Sequence, residues 1–252
     1  MRTIPAIVLE GANAVKPFKF RDSIYLGDPV NIVRILTDYD VEEIVIVDRT
    51  CTSPNLTLLG QIFGETLMPV TYGGGVRSVE EAVSVIKSGA EKIIVKSLLP
   101  DLEMIRKIVA DLGSSAVAAA IDYRRSGSWI EVAAFGQRFL GHEFNEMLRQ
   151  LESAGIGEFI LTDMDREGTC NGLDTEIISF ADRLVTPVLI QGGAGSFKDF
   201  DEANTLGFDG VVFSSLFCLT NGSHEMVAGL PKVIVSDPMR FACLKESEDD
   251  ES

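Results

Sequence analysis

Two stretches of this chain set glycines, a serine and the start of a helical pattern directly after a short apolar run. Residues 69–78 read PVTYGGGVRS and residues 187–196 read PVLIQGGAGS. Glycine lets backbone N–H groups approach an anion closely, and a helix N-terminus favours negative charge. The next apolar run in each copy ends in a serine, Ser97 or Ser215, which adds a hydroxyl. Gly74, Gly75 and Ser97 in one copy, with Gly192, Gly193, Gly195 and Ser215 in the other, are therefore candidate phosphate ligands. Two equivalent sites suit a ligand carrying two phosphates, one gripped on each side. The plainer reading is that these glycines only make tight turns.

A second set of candidates is acidic. Asp122 closes the run AVAAAID, and strand alternation puts it on one face with Ala116, Ala118 and Ala120. A carboxylate ending a buried run is a candidate general acid or base. Its counterpart in the first half is Val8, on a face with Arg2, Ile4 and Ala6, and a valine cannot move a proton. Glu10 lies nearby and is expected on the opposite face. DMDREGT (163–169) supplies Asp165 and Glu167, with Gly168 and Thr169 able to face a phosphate, and Asp48 ends another run. Turn capping is the alternative for these acids, above all for Asp163. Arg2, Glu43, Lys92 and Glu158 stand at the start of four apolar runs. Pointing inward they form a ring of two cations and two anions; otherwise they are solvated strand ends.

Positioning these groups takes a repeated frame. Residues 68–99 align without gaps on 186–217, sharing Pro69/Pro187, Gly74/Gly192, Gly75/Gly193, Ser78/Ser196, Gly89/Gly207, Ser97/Ser215 and Leu98/Leu216. Each copy reads as strand, Gly-rich turn, helix with an N-cap serine, glycine stop, strand. VEEIVIVD (41–48) matches IGEFILTD (156–163), and TIPAIV (3–8) matches VAAAID (117–122). Strands are expected near 3–9, 43–48, 68–72 and 92–96, then 116–122, 158–163, 187–191 and 210–214, with helical patterns such as NIVRILTDYD and DLEMIRKIVADLG between them. Alternating strands and helices mean a parallel α/β sheet. Two similar four-stranded halves close most simply into a single (β/α)8 TIM barrel, whose active site lies at the C-terminal ends of the strands. An open doubly wound sheet is the alternative. SWIEVAAF (128–135) is expected to add a strand or hairpin after strand 5. The barrel is assigned to residues 1–240, and the acidic residues 241–252 to a solvated tail.

Bulk properties narrow the function. A net charge of −16 argues against nucleic-acid binding, which needs a basic surface. The chain has no apolar run long enough for a membrane span, and its start lacks the pattern of a signal peptide, so a cytoplasmic location is expected. Cys51, Cys170, Cys218 and Cys243 form no CxxC pair, and the histidines are His142 and His224. No metal site and no cofactor are expected.

IP near the start, GDPV (27–30), YGGGVRS, the AID of strand 5, LTDMDREGT followed by NGLD, and GGAGS together resemble the cyclase (HisF-type) subunit of imidazole glycerol phosphate synthase. The resemblance covers nearly the whole barrel. It implies a subunit that uses ammonia delivered by a glutaminase (HisH-like) partner docked on the N-terminal face, the ammonia passing along the barrel axis to a phosphorylated substrate. It matches Arg2, Glu43, Lys92 and Glu158 to a charged gate, and Ala6, Ala118 and Ala120 to small residues along the path. It matches Asp122 to one of two catalytic aspartates, Lys16 and Asp48 to active-site positions, and Asp165 to the aspartate of a DRDG motif.

The chain departs from that pattern at four places. Val8 stands at the other catalytic aspartate, Glu167 at an aspartate, Lys96 at an asparagine and Gln191 at a serine or cysteine. These changes gather at the catalytic rim and spare the gate. An apolar residue at the first aspartate, with IYLGDP (24–29) and TYGGG, is similar to cyclase-like paralogues found with surface-polysaccharide genes, in which ammonia serves to amidinate a sugar. Three readings follow: an ammonia-channelling subunit with another acceptor, a true cyclase forming imidazole glycerol phosphate, or a non-catalytic phosphate-binding barrel.

Overall fold

The structure, a computed structural model, describes residues 1–21, 23–38, 42–181 and 184–215. The 1–240 barrel assignment from residue 216 onward, and the tail at 241–252, lie outside these residues.

The first half comprises β1 (Arg2–Glu10), β2 (Asn13–Pro17), β3 (Ser23–Gly27), α1 (Pro29–Asp38), β4 (Ile44–Asp48), α2 (Leu56–Phe63), β5 (Val70–Gly73), α3 (Val79–Ser88) and β6 (Lys92–Val95). After α4 (Leu102–Leu112), the second half continues through β7 (Val117–Ser126), β8 (Trp129–Val132), β9 (Gln137–Leu140), α5 (Gly141–Ser153), β10 (Glu158–Asp163), β11 (Val188–Gln191), α6 (Phe197–Leu206) and β12 (Gly210–Phe213). Parallel pairing runs β1–β4–β5–β6–β7–β10–β11–β12 and returns to β1, so eight strands close into a barrel. The β7–β10 pair, with Ala118 opposite Glu158 and Asp122 opposite Thr162, lies within the second half and closes the ring, which rules out the open sheet.

Residue alternation sorts the barrel into two cores. Ile4, Ala6, Val45, Ile94, Ala118, Ile160, Leu189 and Val212 fill the interior, with Val47 and Ala120 packed against them. Neighbours of opposite parity, such as Ile7, Leu9, Ile44, Ile46, Ile93 and Ala119, face the helices in the larger outer core. The repeat's helices begin and end as their sequence requires. Ser78 Oγ accepts the Glu81 N–H and Gly89 closes α3; at α6, the Ser196 N–H and Oγ both donate to Asp199 Oδ2, and Gly207 closes the helix. Between β10 and β11 a 3-10 segment, Thr175–Phe180, takes the place of an α-helix.

Two antiparallel additions rise at the C-terminal ends of the strands. The strand expected within 128–135 is β8; it pairs with the long β7 and with β9. The β2–β3 hairpin after β1 is a feature that the sequence reading did not anticipate. The sheet addition on β7 is tied down by Asp174, which accepts from Tyr123 Oη at 3.2 Å and from Arg125 Nε and Nη2 at 2.8 and 2.6 Å.

Candidate functional site

A cavity of about 580 Å³ opens at the C-terminal ends of the barrel strands. Its wall includes Val8, Lys96, Ser97, Asp122, Glu167 and Gln191, with Gly74 and Gly75 at one side. Val8, Lys96, Glu167 and Gln191, the four positions read from the sequence as departures, thus share one cavity with Asp122.

Each of the polar departures has a definite partner. Lys96 Nζ is ion-paired with Asp122 Oδ2 from the adjacent strand, and it also sits 5.5 Å above the Phe20 ring. The Asp122 side chain is 6% exposed and that of Lys96 46%. Lys16 Nζ donates to Glu167 Oε1 at 2.6 Å and to Ser214 Oγ at 2.8 Å, wholly buried at the end of β2. Thr162 Oγ1 donates to Gln191 Oε1 at 3.3 Å. Val8, between these pairs, offers only carbon.

The other acids divide by geometry. Asp48 Oδ1 accepts the N–H groups of Thr50 and Cys51, both at 3.1 Å, so it is held in the turn after β4 while also lining the cavity. Asp163 Oδ1 accepts from the Asp165 and Arg166 N–H groups at 2.9 and 3.3 Å, the capping arrangement expected of it, and burial raises its carboxyl above the ordinary range. Asp165 is turned to Arg124 Nε at 3.0 Å, with a side chain 62% exposed, and is not among the residues of the cavity wall. Glu10 corrects the sequence expectation: it shares the parity of Val8, two residues on. It reaches no rim carboxylate position because Ser23 Oγ and Arg49 Nη1 hold it at 2.7 and 3.1 Å.

Beside Asp48 lies a pair that no motif singles out. Cys51 Sγ is 3.8 Å from the buried Tyr72 hydroxyl. Burial, and then the Asp48 charge, push the thiol up; burial likewise raises the Tyr72 phenol, followed by the neighbouring Cys51.

The paired Gly turns are required by close backbone approach. A Cβ on Gly75, at φ +67°, would fall 2.7 Å from the Ser53 backbone; one on Gly193, at φ +99°, would fall 2.2 Å from the Gly172 carbonyl oxygen. Part of the helix N-terminal donor set is already used. The Arg77 N–H donates to Glu81 Oε2 at 2.8 Å, and the N–H groups of Gly195 and Ser196 donate to Asp199 Oδ2 at 2.9 and 2.7 Å. A phosphate at Gly195 therefore has to displace Asp199. Ser97 lines the cavity, whereas Gly192, Gly193, Gly195 and Ser215 are not in its wall. Gly168 packs on Pro17 and Phe18 of the hairpin, and Thr169 Oγ1 donates to the Arg166 carbonyl at 2.8 Å.

The opposite end of the barrel carries the second candidate site. Arg2 Nη1 lies 3.3 Å from Glu43 Oε2, Arg2 Nη2 is 2.5 Å from Glu158 Oε1, and Lys92 Nζ is 3.2 Å from Glu158 Oε2. The four charges expected as a ring are thus linked in the order Glu43–Arg2–Glu158–Lys92, directly beneath the interior core. Arg2 is pushed further up by its two carboxylates, although burial opposes this. Among the described residues, no group of three or more His, Cys, Asp and Glu side chains is placed to hold a metal ion. No helix among them is long and apolar enough to cross a membrane.

Comparison with known proteins decides the lineage. The family described as histidine biosynthesis protein matches residues 2–222. The chain is a HisF-like member of that family. A Pseudomonas aeruginosa protein with the provisional name imidazole glycerol phosphate synthase subunit hisF2 is 35% identical over 236 residues, covering 90% of this chain and 93% of that one. Imidazole glycerol phosphate synthase subunit HisF of Alkaliphilus metalliredigens is 35% identical over 225 residues, covering 86% and 89%. HisF of Thermococcus gammatolerans is 34% identical over 223 residues, covering 86% and 88%. In this HisF-like barrel, Val8 and Asp122 line the same mouth and Lys96 is paired with Asp122.

Proposed function

We propose that this chain is the synthase subunit of a glutamine amidotransferase complex whose acceptor differs from the histidine-pathway intermediate. A partner glutaminase sits on the N-terminal face and releases ammonia at the charge ring. Ammonia passes the small side chains of Ala6, Ala118 and Ala120 and attacks the acceptor at the C-terminal mouth. Asp122 takes the proton released as the C–N bond forms. Gly74, Gly75 and Ser97 hold one phosphate of the acceptor, and Gly168, Thr169, Gly192, Gly193, Gly195 and Ser215 hold a second. Lys16 positions Glu167. Asp48 shapes the turn beside Gly74, and Asp165, outside the cavity on Arg124, takes no catalytic part. Amidination of a surface sugar is the acceptor chemistry that this reading favours.

The observation that carries the reading is the contrast between the two ends of the barrel. The ring keeps both cations and both anions in mutual contact. At the mouth, by contrast, Asp122 faces Val8 and is engaged by Lys96. Loss of function alone would give no reason for change at one end only. The N-terminal face also presents Leu67 and Val185, 102% and 93% exposed, as apolar anchors for a partner.

The test is an ammonia-dependent cyclase assay on the purified chain, with the family's two-phosphate substrate and ammonium salt. Substrate binding without turnover is expected. Turnover at rates typical of the family would make the chain a histidine-pathway cyclase. Asp122→Asn that keeps full activity on an identified acceptor would leave a scaffold as the remaining reading.

A further inference from the structure

We infer that Lys96 is a specificity-determining residue, whose hold on Asp122 weakens the grip of this mouth on the family's two-phosphate substrate and keeps Asp122 from acting on it. The inference rests on the functional reading above and identifies a second determinant besides Val8.

Three observations carry it. First, the pair is asymmetric. The Asp122 side chain is nearly enclosed and that of Lys96 is about half open, so a change of partners at Asp122 requires Lys96 to move, not the carboxylate. Second, Lys96 is held from two sides, by Asp122 Oδ2 and by the Phe20 ring of the β2–β3 connection. Both contacts are made by Nζ, so moving it breaks an ion pair and a cation–π contact together. Third, the cations of the cavity wall are Arg49, Arg77 and Lys96, and its acids are Asp48, Asp122 and Glu167. Arg49 is drawn to Glu10 and to the carbonyls of Phe20 and Arg21, and Glu167 is taken by Lys16. Among the described residues, Lys96 and Asp122 are the cation and acid of this wall that are paired with each other. A proton acceptor must present an oxygen within hydrogen-bond reach of the proton it takes. Asp122 presents its Oδ2 to Lys96. A carboxylate restored at residue 8 therefore does not by itself rebuild a working pair with Asp122, because Lys96 has to leave Asp122 before Asp122 can take a proton.

The experiment compares wild type, Val8→Asp, Val8→Asp/Lys96→Asn and Val8→Asp/Lys96→Arg in the ammonia-dependent assay with the two-phosphate substrate. Thermal melting checks that each variant folds. Val8→Asp is expected at least tenfold slower than Val8→Asp/Lys96→Asn, with Val8→Asp/Lys96→Arg as slow as Val8→Asp because arginine keeps the charge on Asp122. Equal rates for Val8→Asp and Val8→Asp/Lys96→Asn overturn the inference and leave the functional reading standing. So does silence of both while each binds the substrate. Turnover by the wild type sinks the functional reading itself. Should the Val8→Asp chains fail to fold, substrate affinity of Lys96→Asn and Lys96→Arg decides. A gain of threefold or more for asparagine alone supports the inference, and unchanged affinity overturns it.

Discussion

Lys16 Nζ lies 2.6 Å from Glu167 Oε1, although 151 residues separate them in the chain. The pair fastens the β2–β3 hairpin to the loop after β10, and Ser214 at the end of β12 completes the knot. The backbone repeats the connection: the Lys19 N–H donates to the Glu167 carbonyl at 2.9 Å. Three segments that flank the mouth are thereby made into one body.

Lys16→Met tests what that knot contributes. The lysine side chain is 0% exposed and that of Glu167 8%, so the variant leaves a nearly buried carboxylate without its cation. Removal of one partner of a buried pair costs roughly 3–5 kcal/mol. Urea unfolding should show a loss of that order, and Lys16→Met/Glu167→Gln should recover part of it. A loss below about 1 kcal/mol would mean that water or another group replaces the ammonium.

The barrel was legible because its evidence is periodic. Alternation placed Ile4, Ala6 and Ala118 inward, and the duplicated Gly turn placed two strand ends and two helix starts at once. The charge ring was legible only in part: spacing set Arg2, Glu43, Lys92 and Glu158 at four strand starts, and the choice between a ring and solvated ends came from the resemblance. Pairings at the mouth were not legible. Lys16 reads as an ordinary polar residue until Glu167 arrives from the far side of the fold, and nothing local announces a buried lysine. Lys96 was flagged as a departure, but its choice of Asp122 depends on side-chain reach between strands and on Phe20. The β2–β3 hairpin escaped notice because its strands are short, one ends in Pro17, and Lys19 and Phe20 between them take positive φ values that their types do not advertise.

The glycine turns make a sharper demand than flexibility. At Gly193 the Cβ of an alanine would meet the Gly172 carbonyl oxygen at 2.2 Å, and Gly172 itself donates its N–H to the Gly193 carbonyl at 2.9 Å. Neither backbone can retreat without breaking that contact. Gly127 has φ +59° but open space around its Cβ position. Gly193→Ala should therefore cost clearly more than Gly127→Ala, for which about 1 kcal/mol of left-handed backbone penalty is expected. Equal midpoints in urea for the two variants would show that the second Gly turn yields easily and is not built by close approach.

A last expectation concerns acid. Glu152 Oε1, on α5, accepts the N–H groups of Val185 and Thr186, both at 2.8 Å, and so fixes the segment that leads into β11. Burial works against its charge, but the hydrogen bonds from Thr186 and Val185 outweigh it and hold the carboxyl below the ordinary range. A depressed carboxyl stabilises the fold fully above its unfolded value, about 4.3 for glutamate, and that contribution fades as pH falls through the folded value. Glu152→Gln keeps an acceptor oxygen and loses the charge. Because the site is still reached by solvent, the variant should lose only about 0.5–1 kcal/mol at pH 7. The gap between the two chains should narrow below about pH 4, where wild-type Glu152 itself becomes neutral. Urea midpoints at pH 7, 5, 4 and 3.5 give the comparison. A gap that stays constant over that range would assign the effect to the shape of the amide, whereas a narrowing gap assigns it to the carboxylate charge on the two N–H groups.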